Sequence, residues 1–167
     1  MAEYTGGSNI HLRNNLILTG WQPSEAVFAM ATFTNYTSSD YNGFRPDPAA
    51  PYSFRWKSPP SSTLKDYTKP PTGSDYKTLA EYNQATGQDK HSILIDYDSF
   101  VKVKRPDVWG ILHIYKDKDL DFQLRPTSPA VDAGCILPNV NDGFVGKAPD
   151  LGALEVGQPL PIYGPRR

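Results

Sequence analysis

Cysteine is almost missing from this sequence: Cys135 is the single one in 167 residues. No disulfide can form within the chain, and no thiolate zinc cluster can be built, since that needs several thiolates or added histidines at fixed spacing. Cys135 reads as a small buried filler beside Gly134. Charge of one sign is lacking as well. Seventeen Lys and Arg against 18 Asp and Glu leave a formal charge of −1, which gives no electrostatic reason to expect nucleic acid or an anionic membrane as a partner. No apolar run approaches the ~20 residues of a membrane span. The three histidines, His11, His91 and His113, make no HxH or HxxxH pair, and the glycines lack a phosphate-loop spacing. MAEYTGGSN has neither a basic n-region nor an apolar h-region. That start is expected of a cytosolic protein, or of a mature or excised piece of something longer.

Turn-formers are abundant instead. Sixteen prolines and 13 glycines with 10 tyrosines describe many corners and short extended pieces. A hydrophobic content of 38% implies a narrow core and an extensive surface. In NIHLRNNLILTG, Ile10 and Leu12 alternate with His11 and Arg13, Asn14-Asn15 interrupts, and Leu16 and Leu18 resume. Period two on both sides of a polar corner predicts two short strands meeting at a bend. AVFAMATFTNYTSSDYNGF follows, with Phe28, Met30 and Phe33 facing inward. From Arg45 to Gln88 prolines crowd and periodicity fades, which predicts a long surface excursion ordered by its own aromatics. Within it YKTLAEYNQATG predicts a short helix, capped by Ser74 or Asp75, facing Leu79 and Tyr82 inward and ended by Gly87.

Strand-sized pieces then return: HSILIDYDSF, VKVKR, GILHIY, DFQL, PAVDAG and DLGALE. The separators are too short for helical crossovers and poor in hairpin turns. A solenoid of parallel strands fits, each coil pairing with the next around a thin aliphatic core. Val101 and Val103 would then point in, and Lys102 and Lys104 out.

NIHLRNNLIL, SDYNGF, TGQDKHSILIDYDSF, DFQLRPTSPAVDAG and PDLGALE together resemble the C-terminal part of right-handed parallel β-helix proteins of the pectate-lyase-like kind. The fold this implies is all-β: a short right-handed parallel β-helix with a long irregular insertion and one short helix. One domain is expected over 1–167, with first coils at 1–44, the insertion at 45–90, last coils at 91–156 and a tail at 157–167. The resemblance implies an extracellular or periplasmic protein and a polysaccharide partner. It implies either the C-terminal part of a polysaccharide lyase (or glycoside hydrolase) or a non-catalytic glycan-binding, capping or assembly-forming module. Family enzymes are longer and carry catalytic residues on central coils. An uncapped first coil would expose unpaired N–H and C=O groups, open to self-association or to upstream coils.

Lyase chemistry needs a base and cations for the developing enolate; Arg13, Arg45, Arg55, Lys102, Lys104 and Arg105 are the candidates. Lys102 and Lys104 on one strand face would grip acidic sugars, or simply solvate a sheet edge. Hydrolysis needs facing carboxyls, for which Asp96 and Asp98, or Asp117, Asp119 and Asp121, alternate suitably. The same sets can hold calcium or cap turns. Tyr41, Phe44, Tyr52, Phe54 and Trp56 offer faces for sugar stacking, with Asp40, Asn42 and Arg45 for hydroxyls, or else they form a satellite core. The resulting glycan-binding candidates are Asp40, Tyr41, Asn42, Arg45, Trp56, Lys102 and Lys104. No catalytic residue and no metal ligand are assigned.

Overall fold

A computed structural model describes residues 2–18, 26–59, 73–106 and 114–160. Among these residues the fold is mostly β, with one short α-helix and no closed barrel. Three segments each place strands in a recurring order. The first holds β1 (Ala2–Gly7), β2 (His11–Leu12) and β3 (Leu16–Leu18). The second holds β4 (Phe28–Thr32), β5 (Ser38–Ser39) and β6 (Gly43–Arg45). The third holds β7 (Phe54–Lys57) and, after a long detour, β9 (Ile93–Leu94).

Successive laps pair in parallel. β1, β4 and β7 are joined with offsets of 26 residues (Ala2 opposite Phe28, Phe28 opposite Phe54). β2–β5 and β3–β6 are offset by 27, as in His11 opposite Ser38 and Leu16 opposite Gly43. β6 to β9 is offset by 50, because the detour lies between them. The corners repeat too: Asn14 and Tyr41 both have left-handed backbone, with φ of 58° and 55°. Asn14-Asn15 is therefore a corner that does not reverse the chain.

The detour holds β8 (Ser74–Tyr76) and α1 (Leu79–Thr86). Thr78 caps the helix in a reciprocal capping box with Glu81, taking the place expected for Ser74 or Asp75, and Gly87 ends it at a left-handed φ of 73°. β8 pairs antiparallel with β7. Phe54–Lys57, read from sequence as part of the excursion, thus pairs in parallel with β4 as β4 does with β1; the prolines around it hide its alternation. Tyr82 of α1 is fully buried and stacks on Phe54 at 5.1 Å, with Phe28 at 6.3 Å. Val27, Phe28, Met30, Phe44, Phe54, Trp56 and Tyr82 form the main core. The fully buried aromatics each contribute about 1.5–3 kcal/mol of transfer free energy.

A second core lies on the other face of the β3–β6–β9 sheet. Ile17 packs into the main core, whereas Leu16, Leu18 and Ile93 pack against Phe100, Leu124, Ala130 and Leu151. Burial on both faces accounts for the uninterrupted Leu-Ile-Leu of β3. This covering layer differs from the coils expected there. β10 (Phe100–Lys102) and β11 (Asp121–Leu124) form an antiparallel pair with an irregular register. The irregularity breaks the alternation, so Val101 is exposed and only Val103 packs inward. Residues 129–134 and 150–155 are turns and bends with no strand pairing. Residues 107–113 lie outside the described residues, and with them most of GILHIY and His113.

The C-terminal layer is stitched back to the first lap. Asn14 donates from Nδ2 to the Cys135 carbonyl at 2.8 Å and accepts the Cys135 N–H at Oδ1, also at 2.8 Å. The Gly152 N–H donates to the Asn14 carbonyl. Gly134 is needed here for close approach, since a Cβ would lie 2.7 Å from the Pro149 carbonyl oxygen. The left-handed turn position in this stretch is Asp132, at φ 57°. The Asp132 carboxylate accepts the Lys147 and Ala148 N–H groups at its Oδ1.

Candidate functional site

Lap geometry gathers polar side chains on the β2–β5 surface and the corner beside it. His91 donates its backbone N–H to Asp40 Oδ1 and contacts Oδ2 through Nδ1, both at 2.8 Å. The Tyr41 ring stacks on the His91 ring, centroids 4.7 Å apart. Burial works to raise the Asp40 carboxyl, but the hydrogen bonds from His91 and the Tyr41 N–H outweigh it and hold the group below its ordinary range. One lap edge away, Ser38 Oγ lies 2.8 Å from His11 Nδ1 and accepts from Arg13 Nη2 at 2.9 Å. Cys135 is near enough to feel Arg13 and Asp40, and its thiol is pushed up chiefly by burial. This surface brings together a stacked aromatic pair, a carboxylate, two imidazoles and a hydroxyl.

The other sequence-derived candidates fall elsewhere. Asn42 is fully buried. Its Nδ2 donates to Asp89 Oδ1, Ser39 Oγ and the Leu12 and Asp40 carbonyls, and its Oδ1 accepts from Asn15. Such a saturated amide fixes the corner. Trp56 is 7% exposed and sits in the main core, as do Phe44 and Phe54, so these rings present no platform to a sugar. Arg45 is buried at the far end of β6, with Nε 3.2 Å from Asp96 and its guanidinium over the Tyr97 ring. Arg105 reaches Asp47 at 2.6 Å, and Arg45 approaches the same carboxylate at 3.9 Å. Burial is the main cause that raises the Tyr97 hydroxyl. In this cluster carboxylates already accompany both guanidiniums. Lys102 and Lys104 are exposed, Lys102 donating to the Lys118 carbonyl.

Arg55 forms a two-bonded pair with Asp75 across β7–β8, and that hydrogen bonding lowers the Asp75 carboxyl. Asp96 and Asp98 do not share a strand face; Asp96 caps a 3₁₀ turn, Tyr97–Ser99, that contains Asp98. Among the described residues, no three His, Cys, Asp or Glu side chains gather as a metal site, and no helix is long and apolar enough to cross a membrane. A cleft of about 1030 Å³ opens between Leu16 and Leu18 of β3 and the C-terminal layer, with Arg13 and Asn14 at its polar side.

Sequence reasoning passed over His11, Ser38 and His91. Ser38 lies 27 residues from His11, and His91 lies 51 from Asp40. Only the lap offset, visible in the paired corners Asn14-Asn15 and Tyr41-Asn42, brings them together. Compared with known proteins, the chain matches no family model, no curated protein and no solved structure.

Proposed function

We propose that this chain forms the closing laps of a right-handed parallel β-helix, the C-terminal part of an exported, carbohydrate-associated protein, and that it serves there as a capping and glycan-contact module. One observation carries the capping reading: the two ends of the lap stack are chemically different. At the third lap, an antiparallel strand lies on β7 and Tyr82 fills the core beside Phe54. Both interrupt parallel stacking at that end. At the first lap, β1, β2 and β3 each stand at the end of their sheet among the described residues.

The carbohydrate association rests on the family resemblance, and Tyr41, His91 and Asp40 are the contact that suits it. Paired guanidiniums at Arg45 and Arg105 favour a module without its own elimination chemistry, because a lyase needs cations free to meet a developing enolate. Incubation with pectate or alginate, with and without calcium, tests both parts. The expected result is no rise in absorbance from unsaturated ends, together with retardation of the chain in gels containing the polymer that Tyr41→Ala reduces several-fold. Turnover would restore the lyase reading, and unretarded migration would remove the glycan contact.

A further inference from the structure

We infer that the outer edge of the first lap is the seat of one more parallel lap, recognised at the corner by the side-chain oxygen of Asn15. This rests on the closing-lap reading above and names what the open end takes.

The corner carries a rule seen twice. The Asn42 N–H donates to Ser92 Oγ at 2.8 Å, and the Asn15 N–H donates to Asn42 Oδ1 at 3.0 Å. In each step, a side-chain oxygen on one lap accepts the backbone N–H of the lap before it. Asn15 occupies the next rung. Its Nδ2 donates to the Arg13 carbonyl and to Asn42 Oδ1, while Oδ1 accepts no hydrogen bond among the described residues. A preceding lap in the same register would bring a backbone N–H to that oxygen.

The backbone points the same way. The carbonyls of Ile10, Leu12 and Asn15 accept from Ser38, Asp40 and Gly43 on the second lap. Alternation along a parallel ladder therefore turns the backbone groups of His11 and Leu16 away from that lap, towards the open side. The occupant is thus a polypeptide of defined chemistry: about one lap of 26 to 27 residues, three short strands running parallel to β1, β2 and β3. It continues an interface the molecule already makes twice. A second copy is the poorer fit, because its third-lap end carries antiparallel β8 and Tyr82, and its first-lap end could join only edge to like edge.

The test extends the full chain by a duplicate of residues 1–27 ahead of Met1 and maps amide exchange. The His11 and Leu16 amides are expected to exchange freely in the unextended chain and to be protected in the extended one. Asn15→Ser and Asn15→Ala in the original lap both lose the Nδ2 bond, but serine keeps an acceptor. The amide of the added corner should therefore exchange about tenfold faster in the alanine variant than in the serine variant, the order expected for one hydrogen bond. No protection at His11 and Leu16, or equal exchange for Ser and Ala, overturns the inference. Concentration-dependent protection of the same amides in the unextended chain, with a dimer in sedimentation, overturns it in favour of a second copy. Amides of β8 in the unextended chain report separately: free exchange there sinks the closing-lap reading whatever the extension does.

Discussion

Replacing Tyr82 by phenylalanine isolates a single oxygen in the main core. The Tyr82 hydroxyl donates to Asp89 Oδ2 at 3.1 Å, and both residues are fully buried. Asp89 Oδ1 is served by Asn42 Nδ2 at 3.0 Å and Ser92 Oγ at 2.6 Å. Removing the hydroxyl leaves Oδ2 without that donor, and hydrogen bonds to charged groups are worth about 1.5–3 kcal/mol. The ring itself survives the change. A loss of about 2 kcal/mol is therefore expected, and with a urea slope of ~1–3 kcal/mol/M the midpoint falls by about 1 M. Tyr82→Ala adds a cavity and should cost about 3–5 kcal/mol.

The same oxygen sets an alkaline limit. Burial, and then Asp89, push the Tyr82 hydroxyl well above its ordinary 10.0. In the unfolded chain it ionises near that value, so its contribution is fully present below pH 10.0 and is lost as pH rises further. Tyr82→Phe should flatten that part of the stability–pH curve. Urea titrations at neutral pH and in the alkaline range, with the absorbance of tyrosinate followed in parallel, decide the matter. A Tyr82→Phe variant within about 0.5 kcal/mol of the parent at neutral pH, unchanged in its alkaline slope, would refute the buried-carboxylate account.

Asp40 gives the opposite pH dependence: its carboxyl lies below the ordinary 3.8, so its contribution is present above that value and is lost as pH falls through the folded one. His91→Ala should shrink the difference in stability between neutral and acid pH, measured by urea midpoints across the range. Gly134→Ala drives a Cβ to 2.7 Å from the Pro149 carbonyl oxygen and 3.0 Å from Asn14 Oδ1. It should cost about 1–3 kcal/mol, and amide exchange at Cys135 and Gly152 should rise together; a neutral effect would mean the stitch to Asn14 is not tight.

The strand-corner-strand of Ile10 to Leu18 was legible because its aliphatics alternate and two asparagines interrupt them. Helix α1 was legible from Gly87 and the inward Leu79 and Tyr82, its cap misplaced because Thr78 follows an unremarkable lysine. The lap repeat was hidden, since equivalent positions share spacing and not identity: Asn14 stands over Tyr41, Leu16 beside Gly43. β7 was obscured by flanking prolines. The run from Asp121 to Gly134 begins as a strand but ends in turns, because its last residues cover an existing sheet and do not extend one. For the site, Asp40 and Tyr41 were legible as an aromatic among polar groups. Trp56 and Asn42 carry the same composition yet serve the core and the corner, a difference that only burial reveals.

Asn14 holds Cys135 from 121 residues away. During synthesis at ~5–20 residues per second, roughly 6 to 24 seconds separate the emergence of these two partners from the ribosome. For most of that interval Leu16 and Leu18 have been made but Phe100, Leu124, Ala130 and Leu151, which pack against them, have not all followed. The nascent chain therefore carries an incompletely covered leucine stripe until its C-terminal residues arrive, and a product interrupted before Leu124 would leave that stripe open to association.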